Sequence, residues 1–237
     1  MYDRTAKYYD EPHSPETLDR MSKEGRLNSG KFLTTAHHHS YYLQMLTIRK
    51  LGVTSVLEIG PGENFVADYL RTLGVTYDTM DIVEQSKPMI LGRLEDIDEQ
   101  DYLQRWQLVC AFQMLEHSPY ELFVENIRKM SAMSSEYVFI SVPYSCFGFT
   151  LSLKLAFGQS RRISKTFSMH FPLFAPNRRY RDEYRKEFPW AVHYWEIGRR
   201  GFPLRRILTD IESQGLRIID SFRSENPFHF FILAKKF

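Results

Sequence analysis

The sequence contains no apolar run of about 18 residues, the length that a membrane-spanning helix requires. No apolar stretch follows Met1 either, so we expect no secretory signal peptide. Cysteine is scarce: Cys110 and Cys146 lack the close spacing of a zinc-binding pair. Both lie in or beside apolar runs, so we expect reduced thiols in a cytoplasmic protein.

The composition is that of a globular chain. Hydrophobic residues make up 43% of the 237 positions and charged residues 25%, which suits one α/β domain with its own core. The net charge of +2 conceals an uneven distribution. Residues 145–206 hold 13 Lys and Arg against 4 Asp and Glu, a balance of +9 that leaves −7 elsewhere. This local excess suggests an acidic partner.

The stretch Val56–Phe65 predicts a ligand-binding turn. A short apolar run leads to Glu58 and Ile59, and Gly60-Pro61-Gly62 follows. This order predicts a strand, a tight turn and a helix N-terminus. Glycine lets the backbone turn sharply and leaves no Cβ where a ligand comes close. The free N–H groups of the helix N-terminus point to the same place.

Glu58 and a missing glycine distinguish this turn from the fingerprint of a dinucleotide-binding dehydrogenase. That fingerprint does not require an acid at Glu58, and its third glycine is replaced here by the Phe65-Val66 region. Asp81 ends the next strand-like run, where an acid commonly takes a ribose hydroxyl pair. Glu58 and the missing third glycine therefore argue against a dinucleotide, and Asp81 indicates a ligand with a ribose.

At this point the sequence resembles the class I S-adenosylmethionine (SAM)-dependent methyltransferases. Glu58-Ile59-Gly60-Pro61-Gly62 is similar to their first motif, and Asp81 to their ribose-binding acid. Asn64 departs from the pattern, since many members have a further glycine there, but asparagine tolerates a left-handed backbone. The resemblance covers about residues 30–142 and 203–237. It implies an α/β, Rossmann-like, seven-stranded, mainly parallel sheet with an antiparallel C-terminal hairpin and helices on both faces.

Hydrophobic periodicity predicts elements in the same order. A near-continuous apolar run at 106–112 is typical of a central parallel strand buried on both faces. Helices are predicted at 31–51, 63–73, 120–133 and 203–212, and strands at 54–59, 76–81, 89–91, 106–112, 137–142, 216–222 and 228–234.

The resemblance also implies which residues contact the cofactor. An acidic and an apolar residue that follow the third strand lie by the adenine in the family, and we take Asp96 and Ile97 in preference to Glu95 or Asp98. The predicted SAM-binding residues are Glu58, Gly60, Pro61, Gly62, Asp81, Ile82, Asp96, Ile97 and Gln113.

Histidines supply the candidates for a catalytic base. His117 follows the fourth strand in a segment similar to the family's, and His193 precedes the final helix in an aromatic segment. Each is also interpretable as a structural, hydrogen-bonding residue. The run His37-His38-His39 cannot hold one metal ion, because neighbours on a helix point about 100° apart. We therefore expect no metal site.

The chain divides into four parts. Residues 1–29 form an arm in which Tyr8-Tyr9-Asp10 resembles a segment that covers the cofactor in many small-molecule methyltransferases. The cofactor-binding half is 30–143, an insertion for substrate recognition is 144–202, and the final helix and hairpin are 203–237.

The insertion has three interpretations. It is a lid over a small or sugar-like substrate whose acidic group is held by arginines, an interfacial helix with basic residues that touch anionic or lipid-linked material, or a nucleic-acid surface. The last is disfavoured because no RNA-binding module is recognisable.

Together these features predict SAM-dependent methyl transfer to a small-molecule, sugar or lipid-like acceptor, at oxygen, because no signature for a planar nitrogen acceptor follows the fourth strand. The alternatives are a SAM-binding or cofactor-free scaffold, an RNA methyltransferase, and a nicotinamide-dependent oxidoreductase. Glu58, the missing third glycine and the terminal hairpin argue against the oxidoreductase. The oligomeric state stays open.

Overall fold

The computed structural model of the chain describes residues 34–157, 161–179, 192–224 and 228–237. The predicted N-terminal arm, with Tyr8-Tyr9-Asp10, lies outside the described residues. Among the helices that are described, none has the length and apolar character needed to cross a membrane. Cys110 and Cys146 are both free thiols, as expected.

Within the described residues, nine strands form two sheets. The larger sheet has the order β3-β2-β1-β4-β5-β9-β8. Strands β1 to β5 pair in parallel, and β9 pairs antiparallel with both β5 and β8. This confirms the predicted seven-stranded sheet with its C-terminal hairpin. The strands are β1 (Ser55–Ile59), β2 (Thr76–Asp81), β3 (Ile90–Leu91), β4 (Trp106–Phe112), β5 (Ser134–Pro143), β6 (Cys146–Phe157), β7 (Arg161–Pro172), β8 (Leu216–Arg223) and β9 (His229–Lys236).

The helices lie close to their predicted positions. They are α1 (Thr35–Leu51), α2 (Phe65–Thr72), α3 (Tyr120–Met133) and α4 (Leu204–Glu212), and short 3₁₀ turns span Glu84–Ser86, Leu94–Asp96, Glu99–Tyr102 and Leu115–His117. Thr34 caps α1 by accepting a hydrogen bond from the His37 amide, and Gly52 ends it in the left-handed conformation. Strand β5 is longer than predicted: it begins at Ser134, which pairs with Trp106 of β4, and it ends at Pro143, which pairs with His229 of β9.

The core has two layers, one on each face of the sheet. On β4, Leu108 faces the layer that contains Val66 and Leu70 of α2, whereas Val109 faces the layer of Phe123 on α3. Successive strand residues point to opposite faces, so a strand covered by helices on both sides must be apolar at nearly every position. This is why the run at 106–112 is almost continuously hydrophobic and buried.

The insertion begins with a long β-hairpin of β6 and β7, so the interfacial helix considered for this segment is wrong. Apolar residues recur at every second position from Phe147 to Leu155, which is the period of a strand. The base of the hairpin is joined to the segment before α4 by backbone bonds: the Ser145 amide donates to Ile197 O, and the Phe174 amide donates to Gly198 O.

Candidate active site

The glycine turn adopts the predicted geometry between β1 and α2. Gly60 has a φ of +68° and Gly62 a φ of +62°, values that glycine adopts at little cost. A Cβ at Gly60 would lie 2.7 Å from Met114 Cγ, whereas a Cβ at Gly62 would meet no atom within 4 Å. Gly60 therefore allows close packing, and the space beside Gly62 is open to a ligand.

Asn64 resolves the departure from the family pattern. It has a φ of 58° in the left-handed region, directly before α2 begins at Phe65, so asparagine provides the conformation that a glycine provides in many relatives. Its side-chain amide donates to Ser86 O at 3.2 Å. This bond ties the glycine turn to the loop that follows β2.

Glu58 is buried beneath the turn. Its Oε2 accepts a hydrogen bond of 2.9 Å from the Tyr77 hydroxyl on the neighbouring strand. Burial raises the pKa of Glu58 to about 7, because the charged form is poorly solvated and this effect exceeds the opposing bond from Tyr77 and the charge of Arg71. Glu58 is thus a carboxyl group that a cationic ligand could ionise.

Asp81 and Ile82 lie at the carboxyl end of β2, beside the glycine turn. The Gly60 amide donates to Met80 O at 2.8 Å, which fixes the turn next to that strand end. Asp81 is buried, and its Oδ1 accepts from the Val83 amide at 3.0 Å. The turn and this acid are therefore neighbours, as a nucleoside site requires.

The adenine candidates Asp96 and Ile97 lie in the loop after β3. Asp96 is exposed at the end of a 3₁₀ turn, while Ile97 packs against the core. Glu95 is already engaged, since it accepts a 3.0 Å bond from the Asn126 side chain. The Lys129 ammonium, buried on α3, donates to the carbonyls of Leu94, Glu95 and Ile97 at 3.2, 2.7 and 2.8 Å.

Gln113 follows β4, at the same edge of the sheet as the glycine turn and Asp81. It has a φ of 52°, and its side-chain amide donates to the Ser141 hydroxyl at 3.2 Å. The carboxyl ends of parallel strands meet at one edge. The structure therefore brings the predicted residues of β1, β2 and β4 to a common cleft edge.

The two candidate histidines are in contact. The rings of His117 and His193 lie 5.2 Å apart, nearly perpendicular. Burial lowers the pKa of His117 to about 4, and the charge of His193 adds to this effect. His117 Nδ1 lies 2.9 Å from Val192 O, so this nitrogen carries the proton and donates. The structure thus unites two residues that are far apart in the sequence.

Glu196 orients the His193 ring through a hydrogen bond to Nδ1. The distance from His193 Nδ1 to Glu196 Oε1 is 3.0 Å. The carboxylate is buried, which by itself raises its pKa, but the bond from His193 and the charges of Arg178 and Arg199 hold the pKa below its usual value. An ionised carboxylate here keeps the Nδ1 proton on His193 and leaves Nε2 as an acceptor.

Glu116 completes the cluster. Its side chain is 0% exposed, and neither carboxylate oxygen has a hydrogen-bond partner among the residues the structure describes. Burial raises its pKa to about 7, against the attraction of His193. Glu116, His117 and His193 each place one ligand atom within 4.8 Å of the others. A base or a Lewis acid could act at this cluster.

Sequence reasoning missed two contributors, Lys129 and Glu196. The segment His193-Tyr194-Trp195-Glu196 contained the signal for Glu196, because an acid three positions from a histidine can reach its ring. Lys129 gave no local signal, because the carbonyls that it binds lie in a loop 32 or more positions away.

Three solved structures illustrate what the fold is similar to. Magnesium protoporphyrin IX methyltransferase from Synechocystis, with bound SAH, has a TM-score of 0.54 and 12% identity over 94% of each chain. The sugar N-methyltransferase KedS8 from Streptoalloteichus has a TM-score of 0.52 and 9% identity, covering 96% of this chain and 94% of its own. The methyltransferase CcbJ from Streptomyces caelestis has a TM-score of 0.52 and 13% identity, covering 84% and 96%.

No family model matches the sequence, and no curated protein matches it. The structural likeness therefore establishes the fold, and the fold is that of the class I SAM-dependent methyltransferases.

Proposed function

We propose that the protein transfers a methyl group from SAM to an oxygen atom of a small amphiphilic acceptor. The observation that carries this proposal is one cleft edge that holds the Gly60 turn, Asp81 and Gln113 beside the pair His117 and His193. A cofactor-binding strand edge next to a polarised histidine is what methyl transfer to a hydroxyl needs. Structural neighbours were solved with SAH or SAM, which supports this cofactor.

In this proposal the turn and the strand ends hold the cofactor. Glu58 lies under the Gly60-Pro61-Gly62 turn, Asp81 and Ile82 take the ribose, and Gln113 lines the methionine side. Asp96 and Ile97 border the adenine, and the engagement of Glu95 by Asn126 leaves Asp96 as the acid able to accept from an exocyclic amine. SAM supplies an activated methyl group, and the protein aligns it and excludes water.

His193 is the preferred base. With Nδ1–H donated to ionised Glu196, its Nε2 takes the proton of an acceptor hydroxyl. His117, whose Nδ1 donates to Val192 O, lies beside it and binds the same acceptor. This arrangement favours oxygen over a planar nitrogen acceptor, because only the hydroxyl needs a base.

The insertion bears on the acceptor class. Arg178 and Arg199 bind Glu196, so these arginines stabilise the histidine site instead of holding an acidic substrate. The hairpin beside the site exposes apolar side chains such as Phe147 and Phe171. An acceptor with an apolar portion, such as a lipid-like molecule, therefore fits better than a purely acidic sugar. We also propose a cytoplasmic location, which agrees with the two free thiols.

Calorimetric titration of the whole chain with SAM, and separately with NADH, tests the cofactor class. Micromolar SAM binding without NADH binding supports the proposal. NADH binding alone would replace it with the oxidoreductase alternative. Binding of SAM without transfer of radiolabelled methyl to any hydroxyl compound or RNA tested would favour the scaffold alternative.

A further inference from the structure

We propose that Glu116, His117 and His193 bind a divalent transition-metal cation of the Zn²⁺ class. Their ligand atoms lie within 4.8 Å of one another, and Glu116 Oε1 is 4.0 Å from His117 Nε2. Two imidazoles and one carboxylate are ligands suited to Zn²⁺, and three protein ligands leave a position for water or substrate.

The buried carboxylate of Glu116 is the observation that points to a cation. A carboxylate in a protein interior is normally paired or hydrogen-bonded, because burial without a partner costs several kcal/mol. Both oxygens of Glu116 lack such a bond within the described part of the chain, and the side chain faces two imidazoles. A cation between them would satisfy all three groups.

The second partners of both histidines fit the same role. Metal-binding histidines generally donate their other ring N–H to a carbonyl or a carboxylate, which fixes the tautomer. His117 Nδ1 does so to Val192 O at 2.9 Å, and His193 Nδ1 to Glu196 Oε1 at 3.0 Å. In a neutral imidazole that donates from Nδ1, the lone pair lies on Nε2.

The geometry requires only a small adjustment. A tetrahedral Zn²⁺ about 2.1 Å from each ligand would hold the ligand atoms about 3.4 Å apart, so a pair at the 4.8 Å limit must close by about 1.4 Å. Rotation of the partly exposed His193 ring provides such a movement. With Glu116 ionised and both imidazoles neutral, the bound cation keeps a positive charge that attracts an acceptor oxygen.

The effect of the cation on catalysis rests on the proposed function, whereas cation binding does not. With the cation present, His117 and His193 act as ligands, and coordination lowers the pKa of the acceptor hydroxyl in place of a histidine base. The binding itself is independent of methyl transfer. The two proposals can therefore fail separately.

Titration of chelator-treated whole chain with Zn²⁺, with parallel titrations of Mn²⁺ and Mg²⁺, tests the site. We expect one Zn²⁺ per chain at micromolar affinity, and weaker binding of Mg²⁺, which prefers oxygen ligands. Substitution E116Q or H193A should weaken binding at least about tenfold, while the surface control H38A leaves it unchanged. Co²⁺ should give the visible absorption of a low-coordinate histidine site in the wild type and lose it in E116Q.

Thermal unfolding adds a readout that is separate from activity. Without metal, E116Q should unfold at a temperature equal to or above that of the wild type, because it removes a buried unpaired carboxylate, and Zn²⁺ should stabilise only the wild type. The proposal is overturned if wild type binds no Zn²⁺, or if E116Q and wild type bind it equally. SAM titration on the metal-free protein then tests the cofactor proposal separately.

A second inference rests on the hairpin of β6 and β7. In an antiparallel pair, directly opposed residues share a face, and here one face is apolar along almost its whole length. We call this the apolar hairpin face: Phe147, Phe149, Leu151, Leu153 and Leu155 of β6 with Ile163, Phe167, Met169 and Phe171 of β7. These side chains are 39–69% exposed. A contiguous exposed apolar patch of this kind marks a site of interaction with a protein or a membrane.

The positive charge of the hairpin indicates an anionic partner. From Cys146 to Pro172 the chain has four cations and no acid. Lys154, Arg161, Arg162 and Lys165 all lie in the half of the hairpin where β6 ends and β7 begins, and Lys165 lies opposite Leu153 on the apolar hairpin face. Two copies packed face to face would bring like charges together without compensation. An anionic lipid surface instead accepts both the apolar face and the basic end. We infer that the hairpin docks on an anionic membrane.

Co-sedimentation with lipid vesicles tests this inference. We expect the whole chain to bind vesicles that contain phosphatidylglycerol and to be released from them by high salt. Neutral phosphatidylcholine vesicles should bind it more weakly. L151S and F149S should weaken binding several-fold, while S152A on the opposite face does not. Equal binding to neutral vesicles, or a dimer that L151S dissociates, would overturn the membrane assignment.

Discussion

Lys129 Nζ lies 2.8 Å from the carbonyl oxygen of Ile97. With its bonds to the carbonyls of Leu94 and Glu95, this ammonium holds the loop after β3 from beneath. A buried lysine whose ammonium donates to three carbonyls is unusual. Its position indicates that it shapes the loop in which Asp96 is expected to meet the adenine.

Replacement of Lys129 by methionine tests that role. The three carbonyls would lose their donor, so we expect the free energy of unfolding to fall by about 1–3 kcal/mol and SAM affinity to fall as well. Denaturant unfolding and SAM titration measure the two effects. Arg128→Ala on the exposed side of α3 is the matched control, and its ion pairs with Glu99 and Glu125 are worth little. Unchanged SAM affinity in Lys129→Met would separate the loop from the cofactor site.

Glu58 predicts a pH dependence of stability. Its pKa is about 7 in the folded protein and near 4.5 when unfolded, so between these values the folded state holds a proton that the unfolded state has lost. The free energy of unfolding therefore decreases as the pH rises through this window. Glu58→Gln should be more stable than wild type by up to about 3 kcal/mol above pH 7 and equal to it below about pH 4. A constant difference at all pH values would show that Glu58 ionises normally.

Gly60→Ala should be more harmful than Gly215→Ala. Both positions have positive φ, but a Cβ at Gly60 meets Met114 Cγ at 2.7 Å and one at Gly215 meets nothing within 4 Å. Backbone strain costs about 1–2 kcal/mol in each, and the clash adds to it only at Gly60. We expect weaker SAM binding in Gly60→Ala, measured by calorimetry. Partial rescue by Met114→Ala would assign the excess to that contact.

Asp81→Ala should weaken SAM binding by roughly 1–3 kcal/mol, because a ribose hydroxyl pair would lose its acceptor. Glu84→Ala changes an exposed acid just beyond the same strand and serves as the control. Calorimetry on both variants gives the comparison. Equal affinity in the two would remove Asp81 from the ribose site.

His193→Ala should lower kcat by about 10²-fold to 10⁴-fold, while SAM affinity is retained because His193 lies on the acceptor side. His170→Ala, on the hairpin, should leave the rate unchanged. Initial rates with a hydroxyl acceptor and SAM titration make the measurement. A rise in KM alone would assign His193 to acceptor binding.

The cofactor half of the protein was predictable because its signals are local. The left-handed turns at Gly60 and Asn64 and the buried run at 106–112 depend on residues within a few positions of one another. The hairpin was missed, although its alternation of apolar and polar residues was present from Phe147 onward. In that segment the alternation of apolar and polar residues, and not the apolar content alone, indicates strands.

The sequence by itself determined the positions of the strands, the glycine turn and the acids at the strand ends, because interactions between residues close in the chain decide them. Tertiary structure alone decided that His117 and Val192, 75 positions apart, are hydrogen-bonded. It also decided that Glu116 is buried with no hydrogen bond to its side chain from the described residues, and that Glu196 is held ionised by two arginines. Burial and long-range pairing set the charge of each group, and neither can be read from the identity of its neighbours in the chain.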